Sequence, residues 1–471
     1  MITWFWIFGL IYLALLVFAG IKSFRKNRSA DDFMLAGSSI GVILGFLTYS
    51  AALFSAFTFQ GMPDFFRQHG IGAWIFLAVS DGAMVFFILW FGFHIRKKVE
   101  QLGFKGVAGL IGKCYKNKAA GYMLFIAAFI FLIPYAAIQI RGVSIFLHAT
   151  FPDAMPFWGW SVIIIGMMLV YSEIGGLKAI VYADAIQGLT LLIVIWIIGL
   201  SCVAFLGGID AMFSQVEQTD KTLLSTPGPH GLFTAQFLLS SMIAIVLLPV
   251  TQPQFTTRII VMKSQHAMHK MAVGVGTFAI LVILPTAFIG MYGAVKYADA
   301  AIPDFLSKAL LFDQANIVAA LANIGLFAAV LSTVNAQIFA LGSELRSLLT
   351  KSEKKNMMIT KIAIFVFALL ALGFSIISGN QLVLLARVSF AGTGTMGALV
   401  LVGILSKNKS GMEILIASAL AFFIFLASVL DIIPAILYGL RIDLLLFICL
   451  AIVAMISVLV RHRMNERLVS S

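Results

Sequence analysis

Hydroxyl and small side chains lie together in the middle of one long apolar stretch of the chain. The thirty residues 314–343 carry no charge and are numerous enough to cross a bilayer as a helix. Four residues spaced i, i+3, i+4 and i+7 share one face of that helix: Ala329, Ser332, Thr333 and Ala336. Neutral oxygens of this kind suit a hard monovalent cation. The same pattern is also typical of a packing seam whose Ser and Thr bond back to their own helix.

Two other apolar segments contain residues that interrupt helices. Residues 48–63 (TYSAALFSAFTFQGMP) hold several polar side chains and end in glycine and proline. Residues 246–258 (VLLPVTQPQFTTR) hold two prolines four apart, which remove backbone donors and leave carbonyls unpaired. Unpaired carbonyls at membrane depth are tolerated only inside protein or along a cavity. Interruptions at matching positions of two halves indicate a transporter site near the midplane, with an ordinary proline kink as the alternative.

Composition predicts a helical membrane protein with many spans. Hydrophobic residues make up 61% of the chain and charged residues 11%. The net charge of +12 does not indicate nucleic-acid binding, because 24 of the 32 Lys and Arg residues fall in loops that we place on one side. The first apolar segment has no small-residue cleavage site, so we expect a retained helix. The three cysteines are far apart and show neither metal nor disulfide spacing.

Thirteen spans are predicted, with the N-terminus outside and the C-terminus in the cytoplasm. They cover residues 4–21, 40–62, 72–95, 119–149, 158–171, 179–206, 232–262, 271–292, 314–343, 357–378, 382–405, 412–430 and 442–460. The predicted divisions are an extra helix with a basic loop (1–30), a first five-helix repeat (31–206), an external loop (207–231), a second five-helix repeat (232–405), and two final helices with a cytoplasmic tail (406–471).

Four segments carry a resemblance to a known family. They are YSEIGGLKAIVYADAIQ (Tyr171–Gln187), AAVLST (Ala328–Thr333), SAALFSAFTFQGMP (Ser50–Pro63) and QPQFTTR (Gln252–Arg258). Over residues 1–460 the chain resembles the sodium:solute symporter family, which includes bacterial sodium/proline and sodium/galactose symporters. The resemblance implies an all-α, leucine-transporter-like five-plus-five inverted repeat with extra helices. It also implies a place in the bacterial inner membrane.

The resemblance implies a sodium site between core helices one and eight. The matching positions are the carbonyls of Ala51, Phe54 and Ala329 and the side chains of Ser332 and Thr333. Five neutral oxygens would bind Na⁺ weakly enough to release it in each cycle.

A buried carboxylate is predicted near the route by which sodium leaves. Asp184 lies inside a span, where a charge is costly and usually functional. In relatives this aspartate lies near the exit route or helps to form a second sodium site. That second site would also use Asn335 and Ala336, but Ala336 has no ligand atom, so we expect one Na⁺ per cycle. The structural alternative is that Asp184 pairs with Lys178 or Arg258.

The substrate site is predicted from polar residues in the core helices. The candidates are Thr58, Gln60, Asp81, Gln139, Gln252, Gln254, Ser389 and Thr393. Asp81 either binds a substrate ammonium group or pairs with Arg141. The Gly- and Thr-rich segment Ser389–Thr395 is either an outer gate or a packing seam. The proline branch of the family has an aspartate where this chain has Leu53, and the galactose branch has a polar residue there.

The predicted function is Na⁺-coupled import of a small organic solute, with a proline-like amino acid favoured. Sugars, sialic acid, short monocarboxylates and vitamins remain open as substrates. A solute sensor on the same fold is an alternative, although the chain ends at Ser471 after a short basic tail without a signalling domain. We do not expect an enzyme, because the sequence shows no cluster of His, Asp and Glu at one depth of the membrane. We expect Na⁺ but no organic cofactor, a lipid bilayer but no nucleic acid, and a functional monomer.

Overall fold

Helices form most of this computed structural model, which describes residues 1–24, 30–350, 352–377, 382–406 and 411–470. The helices within these ranges are α1 (Ile2–Phe24), α2 (Ala30–Leu35), α3 (Val42–Leu53), α4 (Met62–His69), α5 (Ser80–Leu102), α6 (Val107–Tyr115), α7 (Lys118–Thr150), α8 (Phe157–Phe205), α9 (Ile209–Asp220), α10 (Ala235–Val246), α11 (Leu248–Thr251), α12 (Pro253–Ile260), α13 (Gln265–Lys296), α14 (Ile302–Ser307), α15 (Asn316–Leu348), α16 (Glu353–Ile377), α17 (Leu382–Gly394), α18 (Gly397–Leu405), α19 (Met412–Val429) and α20 (Ile442–Ser470). Single π-helical turns occupy Phe57–Gly61, Ile75–Val79 and Lys308–Phe312, and 3₁₀ turns occupy Ala36–Ser38 and Lys221–Leu224. The strands β1 (Ile436–Leu437) and β2 (Leu440–Arg441) form a short antiparallel hairpin before α20.

The helices confirm a membrane protein with many spans. Ten helices of the described ranges are long and apolar enough to cross a bilayer, and α3 with the segment Phe57–His69 forms an eleventh that is bent by 57°. Of the two remaining predicted spans, 158–171 matches the shorter apolar helix Phe157–Val170, whereas 232–262 is divided among the apolar helix Ala235–Val246, α11 and α12. The sidedness of the loops and the division into two repeats stay predictions.

Both segments that were expected to be interrupted are interrupted. Helix α3 ends at Leu53, and Phe54 has an extended backbone with φ −97° and ψ 119°. Helix α11 ends at Thr251, and Gln252 is extended in the same way with φ −108° and ψ 115°. Pro253 then opens α12, where its missing N–H leaves no helical bond unmade. The first helix of each predicted repeat therefore unwinds.

A glycine breaks α8 into two parts. Gly176 has φ +59°, and a Cβ there would lie 2.5 Å from the carbonyl oxygen of Phe33. Only glycine fits this combination of left-handed backbone and close contact. The break falls between the predicted spans 158–171 and 179–206. The side chains of 171–175, which begin one of the family-like segments, are outside the described part.

Helix α15 lies at the centre of the bundle. It packs against α1, α7, α8 and α16, and every residue from Ala328 to Glu344 is buried. A helix that is buried on all sides does not face lipid. Its polar residues must therefore find partners inside the protein.

Candidate functional site

Four of the five predicted sodium ligands meet where α3 ends against the middle of α15. The Ser332 hydroxyl donates to the carbonyls of Ala51 at 2.8 Å and Ala329 at 2.9 Å. The Thr333 hydroxyl reaches the same two carbonyls at 3.2 and 3.3 Å. The packing-seam alternative accounts for the bonds within α15 but not for those to Ala51. A cation between these oxygens would take the place of the hydrogen bonds, because the two hydroxyls can turn their oxygen lone pairs toward it, so the donor set fits a small monovalent ion.

The fifth predicted ligand lies at the break after α3. Phe54 donates its N–H to Ser50 at 2.8 Å and closes the helix, while its own backbone is extended. Its carbonyl therefore leaves the helical direction one turn after Ala51. The position agrees with a ligand role, which stays a prediction.

Asp184 is fully buried and forms an ion pair with Arg258. Its Oδ2 accepts from the Arg258 guanidinium at 2.7 Å and from the Thr48 hydroxyl at 2.5 Å. Arg258 also donates to the Thr48 carbonyl at 3.0 Å and to the Gln254 carbonyl at 2.9 Å. Of the two alternative partners expected for this aspartate, the structure shows Arg258 and not Lys178.

Asn335 and Ala336, which complete the predicted second ion site, lie in the buried part of α15. The Asn335 Nδ2 has no hydrogen-bond partner among the described residues. One turn after Asp184, the Gln187 amide donates to the Tyr12 hydroxyl of α1 at 2.8 Å. The extra N-terminal helix thus reaches the same part of the core.

Three of the predicted substrate residues are directly linked. The Gln252 amide donates to the Thr393 hydroxyl at 3.4 Å, and the Gln254 amide donates to Gln252 Oε1 at 2.7 Å. Ser389 lies one turn before Thr393, and its main-chain carbonyl accepts a hydrogen bond from the Thr393 hydroxyl at 3.0 Å. Within the described residues, Gln254 Oε1 and Ser389 Oγ have no partner. The break at Gln252 and the segment of α17 are therefore joined by a hydrogen bond, and each element carries one buried polar atom without a partner among the described residues.

A second group of predicted residues surrounds the break after α3. Gln139 donates to the Tyr135 carbonyl at 3.4 Å, and its Oε1 has no partner in the described part of the chain. The Tyr135 hydroxyl pairs with Ser55, and its ring lies 5.5 Å from that of Phe390 in α17. Thr58 accepts the Ser55 N–H at 3.1 Å, so its hydroxyl supports the bend.

Asp81 is buried but does not pair with Arg141. The carboxylate is 6% exposed and interacts electrostatically with the Tyr49 and Tyr135 hydroxyls. Arg141 instead donates to the carbonyls of residues 375–376 at 3.2 and 2.9 Å. The ion-pair alternative for Asp81 is therefore wrong, because the guanidinium turns toward the end of α16.

Gln60 lines an open cleft. Its amide donates to the Gly142 carbonyl at 3.1 Å, and the cleft continues past Arg141 to α14. Apolar residues of α7 and α14 form most of the remaining wall. The cleft therefore lies beside the π-helical turn that follows the break after α3.

Polar bonds hold the segment after α13 against α4. Arg67 pairs with Asp64 at 2.7 Å and donates to three carbonyls of residues 297–300 at 2.7–2.9 Å. Burial, followed by a hydrogen bond to Asp313, raises the pKa of Tyr297 to about 12. The Tyr297 hydroxyl therefore stays protonated and donates to Asp313.

Comparison with known proteins agrees with this geometry. The model of the sodium:solute symporter family matches residues 33–412. The chain belongs to the sodium:solute symporter family. Its functional class is therefore Na⁺-coupled solute symport across a membrane, and the predicted family is confirmed.

Relatives of this symporter differ in the solute that they are named for. It is 25% identical to the sodium/pantothenate symporter of Haemophilus influenzae over 70% of this chain and 68% of that protein. It is 23% identical to sodium/proline symporter 2 of Staphylococcus saprophyticus over 82% and 78% of the two chains. A solved Na⁺-coupled sialic acid symporter in its substrate-bound outward-open state superimposes with a TM-score of 0.78 over 96% of each chain at 18% identity. The predicted fold is thereby confirmed.

Sequence reasoning missed several residues of this symporter's core. Thr48 touches both members of the buried ion pair, and its only signal was its place at the start of the polar segment 48–63. Tyr135 follows Pro134 inside α7, and no feature of the sequence marked it as a core residue of the site. Glu344 accepts the N–H groups of Val107 at 2.9 Å and Ala108 at 2.5 Å, although the sequence shows it only as the first charged residue after the uncharged stretch 314–343.

Proposed function

We propose that this symporter uses one Na⁺, bound between α3 and α15, to import a small organic solute that carries a carboxylate. A proline-like amino acid is the first candidate. The observation that carries the proposal is the meeting of Ala51, Ala329, Ser332 and Thr333 at 2.8–3.3 Å. All four groups are neutral, so a bound Na⁺ keeps its full charge and is released without removing a counter-ion.

The position of the ion site supplies the coupling. Ala51 belongs to the last turn of α3, directly before the unwound residue Phe54, whereas Ser332 and Thr333 belong to the central helix α15. An ion that binds both elements favours the conformation in which they touch. The solute is coupled to the ion when it binds to the same arrangement at the break.

The substrate class follows from the polar groups around the two breaks. Gln139, Gln252, Gln254, Ser389 and Thr393 offer amide and hydroxyl groups, several of them with unused atoms. The relatives are named for pantothenate, proline and sialic acid, which all carry a carboxylate. Buried Asp81 adds one acceptor for a substrate ammonium group, which favours an amino acid.

A pantothenate-like solute is the second candidate. Such a molecule carries hydroxyl and amide groups besides its carboxylate. The linked amides of Gln252 and Gln254 can donate to and accept from groups of this kind. The match to pantothenate symporters supports the same choice.

The test is uptake by purified protein in proteoliposomes. Radiolabelled proline, pantothenate, sialic acid and galactose are each supplied with an inward Na⁺ gradient or an equal K⁺ gradient. We expect uptake of one carboxylate with Na⁺ only, and its loss in Ser332→Ala/Thr333→Ala. Ser343→Ala, a buried serine of the same helix that bonds to the Lys105 carbonyl, is the matched control and should retain uptake. Equal uptake with K⁺, or uptake of galactose alone, would overturn the proposal.

A further inference from the structure

The short helix α6 packs against the end of the central helix α15. It lies in the segment between the predicted spans 72–95 and 119–149, which the predicted topology places in the cytoplasm. It begins after Gly106, which has no side chain to cap a helix. The N–H groups of its first turn have no partner within the helix and must find one elsewhere.

Side chains of α15 supply these partners. The Glu344 carboxylate accepts the N–H groups of Val107 at 2.9 Å and Ala108 at 2.5 Å. The Ser347 hydroxyl accepts the N–H group of Gly109 at 2.9 Å. Hydrogen bonds to a carboxylate are roughly twice as strong as neutral ones, and a negative charge at a helix N-terminus also interacts favourably with the helix dipole. The start of α6 is therefore held in place by α15.

Two glycines allow α6 to approach α15 this closely. A Cβ at Gly106 would lie 2.8 Å from Ser347 Cβ, and a Cβ at Gly109 would lie 2.6 Å from the Ser347 carbonyl oxygen. A Cβ at Gly112, one turn further along α6, would have its nearest neighbour at 3.7 Å. The tight contact is therefore confined to the start of the helix.

The start of α6 also closes a small cavity beside the break at Gln252. Residues of α6, α7 and α15 and of both sides of the break line this cavity: Val107, Leu124, Ala128, Val250, Thr251, Pro253 and Glu344. Its volume of about 10 Å³ for the centres of water molecules gives room for about one water. A solute that leaves the break on this side therefore needs α6 to move.

The bonds that hold α6 can open without separating opposite charges. The Glu344 side chain is buried, and among the described residues its carboxylate bonds to backbone amides and to no cationic side chain. When α6 moves away, water can reach both the carboxylate and the amides, so that each of them regains hydrogen bonds. The contact is therefore strong in the closed arrangement and replaceable by water in an open one.

We propose that α6 is the inner gate of the solute path and that Glu344 is the positioning residue that keeps this gate closed. The proposal rests on the proposed solute site at Gln252 and Gln254 and adds the side on which that site empties. It does not depend on which solute is carried or on the sodium ligands. Loosening the start of α6 should open the cavity to the cytoplasmic face and not to the outer face.

The experiment measures how fast a thiol in the cavity is reached from each side of the membrane. Val250→Cys is introduced after the three native cysteines are replaced by serine. A charged methanethiosulfonate reagent is then applied to inside-out or right-side-out vesicles without Na⁺ or solute. With Glu344→Gln we expect labelling about fivefold faster from the cytoplasmic face, because a favourable charge at a helix end is lost. An unchanged rate, or an equal increase from the outer face, would overturn the proposal.

A glycine substitution loosens the same contact without changing any charge. Gly109→Ala places a methyl group against Ser347 and should also speed labelling from the cytoplasmic face, so it decides the question if Glu344→Gln does not fold. Gly112→Ala is its matched control, because the added methyl group has room, and it should leave the rate unchanged. Equal rates for the two glycine variants would contradict the gate.

Asn323→Ala controls for the loss of a buried polar side chain from α15. Asn323 accepts the Thr150 hydroxyl at 3.1 Å and donates to the Ala319 carbonyl at 3.1 Å, in the half of α15 far from α6. Its substitution should not change the labelling rate, and faster labelling would show that any weakening of α15 opens the cavity. A wrong solute site would appear as failed uptake with the labelling result intact, so the two failures are distinguishable.

Discussion

Sodium should stabilise the protein against heat, and two hydroxyls should carry the whole effect. A ligand at 100 times its dissociation constant stabilises the folded state by about 2.7 kcal/mol. With an unfolding entropy of roughly 2.1 cal/mol/K per residue, 471 residues give about 1 kcal/mol/K. Saturating Na⁺ should therefore raise the Tm by about 3 °C over an equal concentration of K⁺.

The variant Ser332→Ala/Thr333→Ala should lose this increase. Its Tm without sodium should also fall by about 2 °C, since two buried hydroxyls that bond at 2.8–3.3 Å are removed at about 1 kcal/mol each. Ser343→Ala, which loses one similar bond at 3.2 Å, should lower the basal Tm by about 1 °C and keep the full response to Na⁺. Differential scanning fluorimetry in detergent measures all three. A sodium shift that survives in the double variant would refute the assignment of these hydroxyls.

Three further predictions concern the elements around the ion site. Asp184→Asn leaves a buried guanidinium unpaired and should destabilise the protein by about 3–5 kcal/mol. Adding Arg258→Gln should recover most of that loss. Additive losses of the two substitutions in thermal unfolding would contradict the pairing. Gly176→Ala should lower the free energy of unfolding on the order of 1–3 kcal/mol through the positive φ alone. The contact of the added Cβ with the Phe33 carbonyl oxygen at 2.5 Å should lower it further. An unchanged Tm would show that the break is not needed. Glu344→Gln should weaken the carboxylate cap of α6 by about 1 kcal/mol, which hydrogen exchange would detect as several-fold faster exchange of the first α6 amides. Unchanged exchange there would show that the charge of Glu344 is dispensable.

Local sequence rules were sufficient to predict a helical membrane protein and the two helix breaks, whereas the inverted-repeat fold was predicted from the family resemblance. Pro249 and Pro253 remove backbone donors whatever their tertiary surroundings, and the structure ends α11 between them. The uncharged run 314–343 likewise predicted the buried helix α15 without knowledge of its neighbours. These signals depend on properties of the chain within a few residues.

Contacts between residues that are far apart in the chain could not be predicted by such local rules. Thr48, Asp184 and Arg258 are separated by 136 and 74 residues, so their meeting depends on how three helices pack. From the sequence, Asp184 had two alternative cationic partners, Lys178 and Arg258, and a possible role at the sodium exit route or at a second ion. The hydrogen bonds from Arg141 to the carbonyls of residues 375–376 could not be predicted either, because they also depend on helix packing.

The two polar sites on α3 differ in a way that suits their roles. Ala51 contributes a neutral carbonyl to the proposed sodium site, and Thr48, almost one turn earlier, bonds to a permanent ion pair. The contact at Ala51 can be gained and lost with the ion, because it leaves no unpaired charge behind. The contact at Thr48 cannot open without removing the three hydrogen bonds that Thr48 makes with the buried Asp184–Arg258 pair, and leaving buried charged groups short of hydrogen bonds costs about 1–3 kcal/mol. We therefore expect α3 to pivot about Thr48 when sodium leaves, with α8 and α12 following the same end of the helix. Crosslinking α3 to α12 near Thr48 should then preserve transport, whereas crosslinking α3 to α15 near Ala51 should abolish it.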